Sequence, residues 1–237
     1  MNTIRLIAPA ILALPLVMTS GCMIISSKTE TRTYQHAGFD SINASSGINV
    51  VLAQGPFSVI AEAPEGKLDK IRIEQNGTEL RLSREPELSF GYSGRYLVTV
   101  AAPSISKIDV SGGADLDASG LTADKLDLKA VGGGDMRLTG LKIGALTAST
   151  SGGGDIDAAG SCTSATLDAS GGGDFSGRNL DCASASVIAA GGGDVDIRVR
   201  DSATGKATAG GDIRFFGNPA TFNKDESTGG DITLEAP

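Results

Sequence analysis

A glycine–aspartate corner recurs seven times in the second half of this chain: SGGAD, VGGGD, SGGGD, SGGGD, AGGGD, AGGD and TGGD. The aspartates are Asp115, Asp135, Asp155, Asp174, Asp194, Asp212 and Asp231, at intervals of 20, 20, 19, 20, 18 and 19. A unit this short buries nothing by itself. Units must therefore stack, so that residues one period apart lie over one another.

The unit can be read position by position. After each aspartate comes Leu116, Met136, Ile156, Phe175, Val195, Ile213 or Ile232, and two residues further Ala118, Leu138, Ala158, Gly177, Ile197, Phe215 or Leu234. Between them stand Asp117, Arg137, Asp157, Ser176, Asp196, Arg214 and Thr233. In-out-in alternation marks a strand with one buried face. Ile108 and Val110, Leu126 and Leu128, and Leu146 and Ala148 repeat the habit upstream of the turns, and Leu121, Leu141 and Leu180 mark a third short segment. Equivalent strands stacked in parallel at ~4.8 Å make a rod about 30 Å long. The expected fold is all-β: a parallel β-helix, or β-solenoid, with about 20 residues per coil. A core of small aliphatics agrees with the absence of Trp and the 4% aromatic content.

Residues 36–104 are also strand-rich, with the period blurred, and read as irregular coils continuing the same sheets. No low-complexity linker separates them from the regular repeats at 105–237, so 36–237 is expected to be a single domain. Before it, residues 1–21 carry one charge (Arg5), an apolar run from Ile7 to Met18, and a small-residue end. They read as a secretory signal peptide, too short to span a bilayer. The ending M-T-S-G-C resembles a bacterial lipobox, which makes Cys22 the expected lipidation site and 22–35 a tether. Thr19 stands where such signals commonly carry Leu, which leaves ordinary signal-peptidase cleavage open. Acyl chains would hold the protein on a membrane face. Met23 after the cysteine, by resemblance to Gram-negative sorting, points to the outer membrane.

The order Phe39-Asp40-Ser41-Ile42, then Gly47-Ile48-Asn49-Val50-Val51-Leu52-Ala53-Gln54-Gly55, then Leu97-Val98-Thr99-Val100 and Ile108-Asp109-Val110-Ser111-Gly112 resembles the head GIN domain family of autotransporter adhesins. The resemblance covers 36–237 and implies a secreted, surface-exposed β-solenoid. It brings no catalytic residues.

One aspartate per coil would place seven carboxylates along one edge, where unscreened neighbours cost on the order of 1 kcal/mol per pair. Two arrangements would offset this. Each carboxylate accepts hydrogen bonds from the corner of the next coil, or Ca²⁺ lies between coils. Calcium wants six to eight oxygens, and one aspartate per turn supplies few of them. No resident cofactor is otherwise expected. Cys162 and Cys182 each lie 12 residues before their turn aspartate, in the same slot of adjacent coils. Stacked Cα atoms suit a disulfide in an oxidising compartment. The same slot holds Ala123 and Ile143 earlier, so two small apolar fillers are the other reading.

Catalytic sets are missing. His36 is the only histidine, and the GGGD turns lead into strands rather than the helix N-terminus of a phosphate cradle. Without Arg5, 19 basic residues face 28 acidic ones, a surface that repels nucleic acid. The sequence reads as a non-catalytic envelope protein, an adhesin or structural binding module whose partner is a glycan or another envelope protein. A calcium-dependent polysaccharide-active enzyme or glycan-binding protein is the alternative. Phe90 and Tyr92, with Tyr96, concentrate aromatic rings in one polar loop. Exposed, they would stack on sugars; folded back, they would cap a coil end. Open β-ends leave self-association open as well.

Overall fold

The computed structural model describes residues 28–85 and 94–236. The amino-terminal half supplies β1 (Thr29–Tyr34), β2 (Ser41–Ser45), β3 (Asn49–Gln54), β4 (Ser58–Pro64), β5 (Ile71–Asn76), β6 (Glu79–Arg84), β7 (Leu97–Ala102), β8 (Lys107–Ser111) and β9 (Asp115–Ser119). The repeats supply β10 (Thr122–Val131), β11 (Asp135–Ser151), β12 (Ile156–Ser170), β13 (Phe175–Ala190) and β14 (Val195–Thr208). The last coils are β15 (Ile213–Phe216), β16 (Thr221–Ser227) and β17 (Ile232–Glu235). Among the described residues, apart from one short 3-10 turn at Leu68–Lys70, every regular element is a strand.

The repeat strands pair in parallel, one coil on the next, as the period requires. Met136 lies over Ile156, Ile156 over Phe175, and Phe175 over Val195. These residues are all buried, while Arg137, Asp157 and Ser176 between them face solvent. The chain is a β-solenoid of about six turns. It presents two long faces. One runs β1-β4-β7-β3-β9-β11-β12-β13-β14-β15-β17. The other runs β5-β6-β2-β8-β10-β11-β12-β13-β14-β16. Strands β11 to β14 are long because each bends round a corner and serves both faces. Their inward rows of Leu, Ile, Val and Ala form one continuous apolar core.

The amino-terminal half does continue these sheets, but not only by coiling. β4 runs antiparallel between β1 and β7, and β5 antiparallel beside β6. Antiparallel insertions of this kind have no fixed coil length, which is why the period blurs there. The tether expected over 22–35 is shorter than anticipated. Thr29–Tyr34 form β1, which pairs along its whole length with β4, and His36 stacks on Tyr34 with ring centroids 6.3 Å apart. Alternation of charge and hydroxyl in TETRTY hid this strand, since it lies on the sheet edge and buries little.

Candidate binding face

The seven turn aspartates form a column on the first face, and the register places Asn49 at its head, paired with Asp115. From Asp135 to Asp212 each carboxylate is held by the next coil. The Asp155 N–H donates to Asp135 Oδ1 (3.3 Å), Asp174 N–H to Asp155 Oδ1 (2.9 Å), and Asp194 N–H to Asp174 Oδ1 (2.9 Å). Asp212 N–H donates to Asp194 Oδ1 and Asp231 N–H to Asp212 Oδ1, both at 3.0 Å. Each main-chain donor that a carboxylate captures offsets part of the repulsion along the column.

The first rung differs. Asp135 N–H donates to Ala114 O (3.0 Å), in the one corner that reads GGAD rather than GGGD or GGD. Asp115 therefore lacks the donor its successors have. Burial, then the neighbouring Asp135 and Asp117, push its carboxyl above the ordinary aspartate range. Above it, the Asn49 main-chain N–H and Nδ2 both donate to Tyr96 O, at 3.0 and 3.2 Å. This gives the Gly-Ile-Asn tripeptide a physical reading. Gly47 takes the left-handed turn (φ 69°), Ile48 is buried, and Asn49 meets a carbonyl that a carboxylate would repel.

Beside the aspartates stands a second outward column of Asp117, Arg137, Asp157, Ser176, Asp196 and Arg214. Opposite charges one coil apart pair within it: Arg137 Nε with Asp157 (3.6 Å) and Arg214 Nε with Asp196 (2.7 Å). The two columns line an open groove of about 460 Å³ bounded by Asn49, Asp115, Asp117, Arg137, Asp157 and Ser176. Among the described residues no three His, Cys, Asp or Glu side chains converge to hold a metal ion.

Other site residues fall elsewhere. Cys162 and Cys182 lie opposite each other on β12 and β13, Cα atoms 4.4 Å apart, and are joined by a disulfide. The β12–β13 ladder stays in register on both sides of the bond, Ser161 opposite Asp181 and Ser164 opposite Ser184. Tyr96 is corrected: it is 1% exposed, with the Arg84 guanidinium 4.8 Å from its ring centroid. A buried ring cannot stack on a sugar; it fills the core at the coil end. Phe90, Tyr92 and Cys22 lie outside the described residues. Asn49 as head of the column is what the sequence reading missed; it falls outside the 20-residue period.

Among proteins of curated function, none matches the chain in sequence. Solved structures share the fold. A putative adhesin from Bacteroides fragilis superposes with a TM-score of 0.81 at 23% identity, over 88% of this chain and 98% of its own. A putative lipid binding protein from Parabacteroides distasonis gives 0.66 at 13%, over 88% and 98%. A putative adhesin from the same organism gives 0.65 at 18%, over 88% and 98%. The family model described as putative auto-transporter adhesin, head GIN domain, matches residues 38–219. With that match covering most of its length, this chain belongs to the head GIN domain family.

Proposed function

We infer that this chain is a non-catalytic, lipid-anchored protein of the outer membrane that binds a glycan or an envelope protein through its aspartate–arginine face. The observation that carries the reading is the groove beside the aspartate column. Its polar side chains project from strands locked by coil-to-coil hydrogen bonds, so they are held in place before any partner arrives. Carboxylates, an asparagine, a serine and an arginine suit hydroxyl-rich ligands. The family description as adhesins points the same way. Acylation at Cys22 would supply the membrane affinity that an acidic surface lacks. Phe90 and Tyr92 belong to the proposal as rings available to a sugar.

A glycan array probed with the purified protein, with and without Ca²⁺, tests the binding reading. Asp117→Asn/Arg137→Gln/Asp157→Asn should abolish any signal, and Phe90→Ala/Tyr92→Ala should weaken it. A signal untouched by the first variant would remove this face from consideration, and glycan turnover would replace binding with catalysis. The anchor is tested separately: Cys22→Ala should end palmitate incorporation and move the protein out of the membrane fraction.

A further inference from the structure

The last coil breaks the rule that every other coil obeys. On the second face, one inward row reads Leu128, Ala148, Leu167, Val187, Gly205 and then Lys224. The next reads Ala130, Thr150, Ala169, Ala189, Ala207 and then Glu226. Two rows that are small or apolar in every repeat coil thus end on opposite charges at inward positions of β16. The two charges meet, Lys224 Nζ to Glu226 Oε1 at 2.8 Å. The same carboxylate accepts the Ile232 N–H at 2.8 Å, and Lys224 Nζ lies 3.5 Å from Ile232 O. Ile232 belongs to β17 on the opposite face. The pair therefore reaches across the cross-section of the solenoid and fastens the two faces together.

Its neighbours complete the closure. Phe222, the first inward residue of β16, stands edge-on to Phe215 with ring centroids 5.8 Å apart. Gly205 leaves the room that Phe215 and Ile232 occupy; a Cβ there would lie 3.0 Å from the Phe215 ring. Lys224 first, and then the Ile232 N–H, holds the Glu226 carboxyl below the ordinary glutamate range, as expected of a carboxylate used in its charged form.

We propose that β16 and β17 form a terminating cap, in which Lys224 and Glu226 stop a second copy of this chain from continuing the solenoid end to end. Among the described residues β16 pairs only with β14 and β17 only with β15, and a strand paired on one side is the usual template for strand addition. A further coil stacked on them would shut both charges inside the core, away from water. Inward-pointing charge on an edge strand is a known guard against such pairing.

Sedimentation velocity on unacylated protein beginning at Met23 tests this. The wild type should sediment as one chain across a wide concentration range. Lys224→Leu/Glu226→Leu should shift the sedimenting mass to two chains or more, with new amide-exchange protection confined to β16 and β17. Should the leucines disturb folding, Lys224→Met/Glu226→Gln gives the same readout, because a glutamine oxygen still accepts the Ile232 N–H. Both variants remaining single chains with native circular dichroism would overturn the proposal. So would a wild type that associates through β16, or variant association with protection elsewhere.

Discussion

The main-chain N–H of Asp194 donates to the carboxylate of Asp174, one coil earlier, at 2.9 Å. That contact needs an acceptor oxygen on the side chain and does not need a charge. Asp174→Asn should therefore leave stability nearly unchanged, while Asp174→Ala should lower it by about 1–2 kcal/mol, a part-buried charge-assisted bond being weaker than a fully buried one. Urea denaturation of the two variants separates the outcomes; equal losses would show that charge, not the hydrogen bond, is what the column uses.

Asp115 gives a pH signature. Its carboxyl is pushed up, first by burial and then by Asp135 and Asp117, so the folded chain holds that proton more tightly than the unfolded chain. Stability from this group is therefore present at low pH and lost as pH rises through its folded value. Asp115→Asn should raise the melting temperature at neutral pH, and the gain should vanish below the carboxylate range. A gain independent of pH would point to packing instead.

From the second corner onward, the glycine just before the aspartate is a steric requirement. A Cβ on Gly173 would lie 2.7 Å from Gly154 O and 2.8 Å from Ser151 N, both main-chain atoms of the previous coil. Gly173→Ala should cost about 2 kcal/mol or more. The reverse holds at Thr228, which occupies the first corner position with φ 54° where most coils have glycine. A β-branched residue is strained there, so Thr228→Gly should gain about 1 kcal/mol. Thermal melts of both variants check the pair of signs.

The Cys162–Cys182 bond closes a loop of 20 residues, a length that corresponds to about 3 kcal/mol of restraint on the unfolded chain. Cys162→Ser/Cys182→Ser should lose roughly that amount, and unreduced mass spectrometry of the parent should show two hydrogens missing.

Added Ca²⁺ should not shift the melting temperature, and neither should EDTA, since the Oδ1 atoms from Asp135 to Asp212 are engaged by main-chain donors. A rise of several degrees with Ca²⁺ would restore calcium to the turns.

The regular coils were legible because a 20-residue period repeats both the inward rows and the corners: Ile156 and Val195 could be placed in one buried row from spacing alone. Asn49, β1 and Tyr96 were not legible, for separate physical reasons. Asn49 joins the column through a crossover with no fixed length. Thr29–Tyr34 bury too little to show strand alternation. Tyr96 follows a polar, glycine-containing stretch of sequence, and whether such a ring faces water or core is decided by a partner, Arg84, that comes from another strand. In the candidate face, the two columns followed from alternation. The donors were less visible: the sequence pointed to the corner of the next coil, but not to the N–H of the following aspartate itself.

In the repeat coils, the outward positions on the strands do little to hold the backbone together. Main-chain ladders, inward aliphatics and corner residues carry the architecture, coil by coil. Arg137, Ser176 or Thr233 could be exchanged for almost any polar residue while the scaffold stood. Folding is thereby written in one set of positions, and the outward faces are free to change by substitution without renegotiating its stability.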